Sequence, residues 1–373
     1  MHSPHFPVIV RLLPILVALI GSGVAATPGR WSPEKAHAWM NQHPYLAGGN
    51  YLPSNAVNQL EMWQAETFDP ATIDRELGWA GSVGFKVMRV FLHNLTWRDD
   101  PRGFLDRVDR FLSIADKHGI AILFVFFDSC WDPNPRSGPQ PAPRLHLHNS
   151  GWVQSPGTEL LMNGRAHGEL KAYVKDVLTR FKDDRRIIGW DLFNEPDNRN
   201  DSSYGKLEPT YKADYAFILL KEVFAWAREV NPSQPLTAGV WQGDWSMAKR
   251  SPIDAFMLEN SDVISFHCYD PADKMTERIA LLNTLGRPLL CTEYMARPVG
   301  SRFETHLPLM KEKKVSAIAW GFVAGKSQTN YPWDSWKKTY TAEPPEWFHD
   351  IFRADGSAYR PAEVAFLKKL LLP

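Results

Sequence analysis

Short apolar runs recur along the chain at intervals that suit alternating strands and helices. Eight of them read as strands: Tyr45–Leu52, Lys86–His93, Ile120–Phe127, Ile187–Phe193, Leu236–Trp241, Val263–Tyr269, Pro288–Tyr294 and Val315–Phe322. Several are near-continuous in Ile, Leu, Val and Phe, the pattern of strands covered on both faces. Helical periodicity fills most of the gaps. Asp69-Pro70 opens one helix that runs to about Val83, with proline in its first turn. Phe104–His118 repeats apolar residues at Leu105, Val108, Phe111, Leu112 and Ala115, and Gly119 stops it. Glu169–Phe181, Tyr211–Val230, Lys274–Leu285, Phe303–Lys314 and Glu363–Leu372 behave alike, and Ile253–Leu258 gives a short helix after the fifth strand. Eight such units predict an α/β chain folded as a single (β/α)8 TIM barrel over residues 27–373. A doubly wound sheet is the alternative, but no Gly-x-Gly-x-x-Gly follows the first strand. Two loops are expected to be long, Asp132–Ala166 after strand 3 and about Val323–Asp355 after strand 8. Both leave strand C-terminal ends, the face on which barrel enzymes carry their chemistry.

The first residues read differently. Arg11 precedes the apolar run Leu12–Ile20, broken only by Pro14, and small residues lead to Val24-Ala25-Ala26. This predicts a signal peptide over residues 1–26 and an exported chain, periplasmic or extracellular. A retained anchor is the alternative, although the run is shorter than the roughly 20 apolar residues a membrane span requires. Lysine plus arginine and aspartate plus glutamate each total 42 in the 373 residues, so the formal net charge is zero. A neutral chain without a basic run is poorly suited to nucleic acid or to an anionic membrane, and neither is expected as a partner. The three cysteines, Cys130, Cys268 and Cys291, form no C-x-x-C and lie near the ends of apolar runs, so buried thiols are expected rather than disulfides or a zinc site. The 15 tryptophans are the other unusual count. Packing is one use for them; stacking against sugar rings is another.

The strand ends carry the chemistry. The fourth strand runs Ile188-Gly189-Trp190-Asp191-Leu192-Phe193 into Asn194-Glu195-Pro196. A carboxyl group beside a buried strand has its pKa raised, which suits a general acid. The seventh strand ends in a second carboxylate, Glu293. Glutamates at the ends of the fourth and seventh strands face each other across a barrel mouth, the arrangement that glycoside hydrolysis requires. Between them, His267-Cys268-Tyr269 alternates so that His267 and Tyr269 share a face, from which Tyr269 can reach Glu293. Arg89 is a charge inside an apolar strand and needs a buried partner, for which Glu293 is a candidate.

The run Ile188–Asp197 resembles the signature of glycoside hydrolase family 5, the cellulase family, and of its clan A relatives. The chain also looks like exported proteins of cellulase-like or xylanase-like type. The resemblance covers nearly all of the predicted mature chain in strand order. It implies that Glu195 is the acid/base, Glu293 the nucleophile and Asn194 the ligand of a sugar 2-hydroxyl. Arg89, His267, Tyr269 and Trp320 match family positions, and Asn50, Asp128, Trp131 and Trp241 at strand ends are further candidates for substrate binding. One departure is that the family often has histidine at the end of the third strand, where this chain reads Phe127-Asp128-Ser129-Cys130-Trp131. The expected activity is retaining hydrolysis of a neutral β-linked oligo- or polysaccharide, with no metal and no organic cofactor. A transglycosylase with the same residues and a catalytically dead carbohydrate-binding barrel are the alternatives. Endo or exo action depends on the two long loops.

Three weaker patterns point elsewhere. His146-Leu147-His148 invites a metal reading but lacks a third ligand and reads as a solvated loop. Ala80-Gly81-Ser82-Val83-Gly84 resembles a nucleophile elbow but precedes a strand instead of following one, so it reads as a helix end. Asn94-Leu95-Thr96 and Asn200-Asp201-Ser202 fit the glycosylation acceptor pattern.

Overall fold

The computed structural model describes residues 28–373, and the segment read as a signal peptide lies outside them. Eight parallel strands organise the described chain: β1 (Ala47–Asn50), β2 (Val87–Phe91), β3 (Ala121–Asp128), β4 (Ile187–Asn194), β5 (Leu236–Thr237), β6 (Ile264–His267), β7 (Leu289–Glu293) and β8 (Ser316–Ala319). They lie in the order β5-β4-β3-β2-β1-β8-β7-β6. The remaining gap between β5 and β6 is closed by a parallel bridge from Val240 to Phe266, so the sheet curls into a TIM barrel.

Alternation along the strands builds the interior in levels. Val87, Leu123, Ile188, Val263, Leu290 and Ile318 pack at the bottom, capped by Trp31 and by Ala36 and Trp39 of the helix Pro33–Met40 that follows it. Two residues further along β2, Arg89 occupies a charged middle level, and Phe91 two residues beyond it joins Val125, Trp152 and Trp320 at the mouth. A larger apolar core lies between the sheet and the surrounding helices. The strands approach closely at Gly48, where a Cβ would fall 1.7 Å from the Val87 carbonyl oxygen.

Helices Pro70–Ser82, Pro101–Lys117, His167–Phe181, Lys212–Val230, Ala272–Asn283, Phe303–Glu312 and Pro361–Leu371 occupy the predicted segments with shifted ends. Pro101–Lys117 begins earlier than its apolar repeat, because Asp100 accepts a hydrogen bond from Gly103 N and caps it. The fifth strand is shorter than expected and ends well before Trp241. Its ladder gives way to side chains: Ala238 N donates to Ser261 Oγ, and Thr237 Oγ1 donates to the Val263 carbonyl. The helix after it runs Pro252–Asn260, extended by a capping box between Ser251 and Asp254. The stretch after β3 is not all loop, since it holds the helix Thr158–Met162 and a 3-10 turn at Gly164–Ala166. After β8 the chain carries only the 3-10 turn Trp333–Trp336 before Pro361. Among the described residues, no helix is long and apolar enough to cross a membrane.

Candidate active site

Strand register places the site residues beside one another. Asn50 pairs with Arg89, Asp128 with Asn194, and His267 with Glu293, the last through an irregularity between Phe266 and His267. Glu195 follows the last residue of β4 with φ at 42°, a left-handed backbone that costs a non-glycine residue about 1 kcal/mol or more. That turn ends the strand and seats the side chain beside His267 and Asn198 in the mouth. Trp131 after β3 and Met295 after β7 have the same handedness, with φ of 71° and 75°.

Arg89 is fully buried and ties the floor of the site together. Its Nε and Nη2 donate to Asp191 Oδ2 at 3.0 and 2.8 Å, Nη2 donates to Asn194 Oδ1 at 2.7 Å, and Nη1 donates to Asn50 Oδ1 at 2.9 Å and Glu293 Oε1 at 3.0 Å. Tyr269 Oη donates to Glu293 Oε2 at 2.9 Å. On the opposite carboxyl, Asn198 Nδ2 donates to Glu195 Oε2 at 2.7 Å, and the Cys130 thiol donates to the same oxygen at 3.3 Å. His267 lies between the pair, with Nδ1 2.8 Å from Glu195 Oε1 and 3.5 Å from Glu293 Oε2. One donor atom from each of Glu195, His267 and Glu293 falls within 4.8 Å of the others. That triangle could hold a cation, but each of the four carboxylate oxygens already faces a protein partner that the ion would displace.

Burial dominates the electrostatics. It pushes Glu195 and Glu293 each up to about 7. Two carboxyls this close do not ionise together, so the pair releases its protons in two steps. Arg89 favours the ionised form of both carboxyls and touches Glu293 directly. Burial also lowers His267 to about 4, so the imidazole between them is neutral.

The candidates separate into two groups. Asn194, Glu195, His267, Tyr269, Glu293, Trp131, Trp241 and Trp320 line one cavity of about 600 Å³. Arg89, Asn50 and Asp128 do not line it: Arg89 and Asp128 spend polar groups on residues that do, and Asn50 accepts from Arg89. Asn50 Nδ2 donates to the carbonyls of Thr292 and Ala319. Asp128, pushed up to about 6 by burial, accepts from Asn194 Nδ2 at 2.9 Å and Trp152 Nε1 at 2.6 Å. Trp241 lines the cavity from beyond β5, held by its Nε1 donating to Asp197 Oδ1 at 2.7 Å. Both asparagines that fit the glycosylation pattern, Asn94 and Asn200, are buried.

Sequence reasoning missed several lining residues, among them Asn198, Cys130, His148 and Asn149. The place of Cys130 near the end of an apolar run predicts packing alone, yet its thiol faces Glu195. His148 is not in a solvated loop: it is buried in the segment after β3, and its neighbour Asn149 is buried with it. The apolar run of β3 ends before them, and their burial depends on partners more than 180 residues away, such as Ser335 and Tyr331.

Residues 79–334 match the family model for Cellulase (glycosyl hydrolase family 5), a span that includes Arg89, Asn194, Glu195, His267, Tyr269, Glu293 and Trp320. Mannan endo-1,4-beta-mannosidase 5 of Solanum lycopersicum is 24% identical over 259 residues, covering 65% of this chain and 58% of that protein. Mannan endo-1,4-beta-mannosidase F of Aspergillus clavatus is 24% identical over 138 residues, covering 36% of this chain and 26% of that protein. The chain thus spans little more than half of one relative and about a quarter of the other. In fold it is similar to the endo-1,4-beta-D-mannanase from Thermotoga petrophila RKU-1, with a TM-score of 0.53 at 15% identity over 88% of this chain and 99% of that one. With the family model covering most of the barrel, the chain belongs to the cellulase family, glycosyl hydrolase family 5.

Proposed function

We propose that this protein hydrolyses β-mannosidic bonds with retention of configuration, using Glu293 as nucleophile and Glu195 as acid/base. The observation that carries the mechanism is the spacing: carboxylate oxygens of the two residues lie within 4.8 Å of each other. Retaining enzymes hold their carboxyls ~5–5.5 Å apart, whereas inverting enzymes leave ~6.5–9.5 Å for a water between them. In the first step a Glu293 oxygen attacks the anomeric carbon as the glycosidic C–O bond breaks, and the Glu195 proton passes to the leaving oxygen. In the second, water attacks the same carbon, its proton passes to Glu195, and the ester bond to Glu293 breaks. Arg89 and Tyr269 hold the Glu293 carboxylate from both sides, so it meets the anomeric carbon without rotating. Asn194 spends its Oδ1 on Arg89 and one N–H on Asp128, and turns its other N–H only to the Cys130 sulfur at 3.5 Å. A sugar 2-hydroxyl is a better acceptor than that thiol. The sugar assignment rests on the mannosidase names of the relatives.

The test is proton NMR of the anomer first released from a β-mannoside, with Glu195→Gln and Glu293→Gln assayed beside the parent. The β-anomer is expected first, and each substitution should lower kcat by about 10²–10⁴-fold. First release of the α-anomer refutes the double displacement, and full activity in either variant refutes the assigned roles.

A further inference from the structure

The barrel mouth is walled on one side. The segments leaving β3 and β8 meet above β1 and β2 and are bonded along their contact. Asn149 N donates to Ser327 O at 2.9 Å, Trp336 Nε1 to His148 O at 2.9 Å, and Gln328 Nε2 to Arg144 O at 2.7 Å. The segment after β1 joins them, with Lys326 N donating to Ser54 O at 2.9 Å and Asn58 Nδ2 to Gly151 O at 2.8 Å. Rings fill the junction: Trp131 stacks on Trp336 with centroids 5.5 Å apart, and Trp152 packs edge-on against both Phe91 and Trp320. Main-chain bonds and buried indoles make this a fixed wall. Behind it, between Trp320 and β1, a void of about 20 Å³ remains, room for one water and not for a sugar ring.

The cavity of about 600 Å³ runs the other way, past Asp197–Ser203 to Trp241 and Gln242. The acid that protonates the leaving oxygen stands on the side of the leaving unit. Glu195 heads the Asp197–Ser203 segment, so the open end receives the leaving unit and the walled end receives the sugar that bonds to Glu293. Two buried residues line that walled end with unused polar atoms. Asn149 Oδ1 and Nδ2 have no hydrogen-bond partner, and neither has His148 Nε2. Buried polar groups are nearly always paired in folded proteins. His148 Nδ1 lies 2.7 Å from Tyr331 O and donates to it, which leaves Nε2 as an acceptor. The pair therefore offers two acceptors and a donor, the complement of sugar hydroxyls.

We propose that this protein works from chain ends: it removes one sugar at a time from the non-reducing end, and His148 and Asn149 bind the hydroxyl groups of that terminal sugar. In a chain linked through O4, the free 4-hydroxyl is what distinguishes the end unit from an internal one. The wall stands where the next sugar would lie, and the void behind it, about 20 Å³, is too small for one. The inference rests on the hydrolase reading above and sets its mode of action.

The experiment takes the sugar cleaved fastest in a panel of 4-nitrophenyl β-glycosides. It compares the β-1,4-linked tetraose of that sugar with the same tetraose blocked at its non-reducing end by a 4,6-O-benzylidene acetal. Early products should be monosaccharide and trisaccharide alone, and blocking should lower kcat/KM by about 100-fold or more. Asn149→Leu keeps the shape and removes the polar atoms. It should lower kcat/KM on the unblocked tetraose by about 10–100-fold, with the unfolding free energy lowered by no more than the roughly 1–2 kcal/mol that leucine costs at the left-handed backbone of residue 149, φ 48°. Early disaccharide and equal rates on the two tetraoses overturn the chain-end reading and leave the hydrolase reading standing. An Asn149→Leu enzyme with parental kcat/KM overturns the assignment of Asn149. No cleavage of any glycoside in the panel overturns the hydrolase reading, and this one with it.

Discussion

Replacing Arg89 by methionine separates two functions that the structure puts on one side chain. Methionine fills much of the same space and carries no charge. Asp191 loses both of its donors and, fully buried, gains no water in their place, and Glu293 loses one of its two. Breaking a buried ion pair from one side costs about 3–5 kcal/mol. That is a large part of the 5–15 kcal/mol that holds a typical protein folded. The catalytic effect is distinct. Two unit charges about 4 Å apart interact by ~4 kcal/mol at an effective dielectric constant of ~20, equivalent to about three pH units. Burial has already raised Glu293 to about 7 against the pull of Arg89. Without Arg89 it must rise further, by at least about one pH unit. The acid limb of kcat/KM then moves to higher pH, and at a fixed pH well below that limb the rate falls about tenfold for every pH unit the limb has moved.

Urea unfolding and the pH dependence of kcat/KM on a 4-nitrophenyl β-glycoside measure the two effects separately. Arg89→Lys is the control. It keeps the charge and loses the fork that reaches Asp191, Asn194 and Asn50 at once, so kcat/KM should fall while the acid limb stays within about half a pH unit. If Arg89→Met destabilises as expected but leaves the acid limb where it is, Arg89 does not hold Glu293 ionised, and the reasoning fails.

The remaining predictions follow the same groups. Asp128, Glu195 and Glu293 all have folded-state pKa values raised by burial, to about 6, 7 and 7, above those of the unfolded chain. These three groups bind protons first in the folded state and add stability as pH falls from about 7.5 to about 5, whereas His93, His148 and His267, lowered by burial to about 3, 4 and 4, subtract it below about 6.5. Urea unfolding isolates the carboxyl part in the difference between parent and Glu195→Gln: the parent's stability relative to the variant should increase over that pH range. Cys130→Ala removes a donor to the Glu195 carboxylate, so the basic limb of kcat/KM should move to higher pH, with the unfolding midpoint changed little; a downward movement would contradict the thiol contact. Gly48→Ala should destabilise by about 3 kcal/mol or more, read by thermal unfolding, because its Cβ would fall 1.7 Å from the Val87 carbonyl oxygen.

The barrel was legible because its strands are covered on both faces and leave uninterrupted apolar runs, and because a charge such as Arg89 stands out inside such a run. Glu195 and Glu293 stood out for the same reason, each as the first carboxylate beyond a buried stretch. The interior partners were partly legible too, since alternation alone put His267 and Tyr269 on one face. What could not be read was set by contacts distant in sequence. Asp128 at the end of β3 has the position of a substrate ligand. Its carboxylate is nevertheless taken by Trp152, from the loop above, and by Asn194, from the next strand. His148, Asn149 and Ser150 after β3 look like solvated loop, and their burial arises only where the segment after β8 returns over them.

Burial that depends on a distant segment bears on mode of action. Glu195, Glu293 and the groups around them are set by strand ends. The wall is set by two segments that carry little regular structure. Its joins are single bonds such as Asn149 N to Ser327 O, between residues far apart in sequence. A barrel can keep its strand ends, and with them the bond-breaking chemistry, while the loops change whether a chain can lie across the mouth or only enter it end-on. The chain-end action proposed above is therefore compatible with relatives named for endo action: on that proposal the point of attack follows Trp152, Trp336 and the loops that hold them.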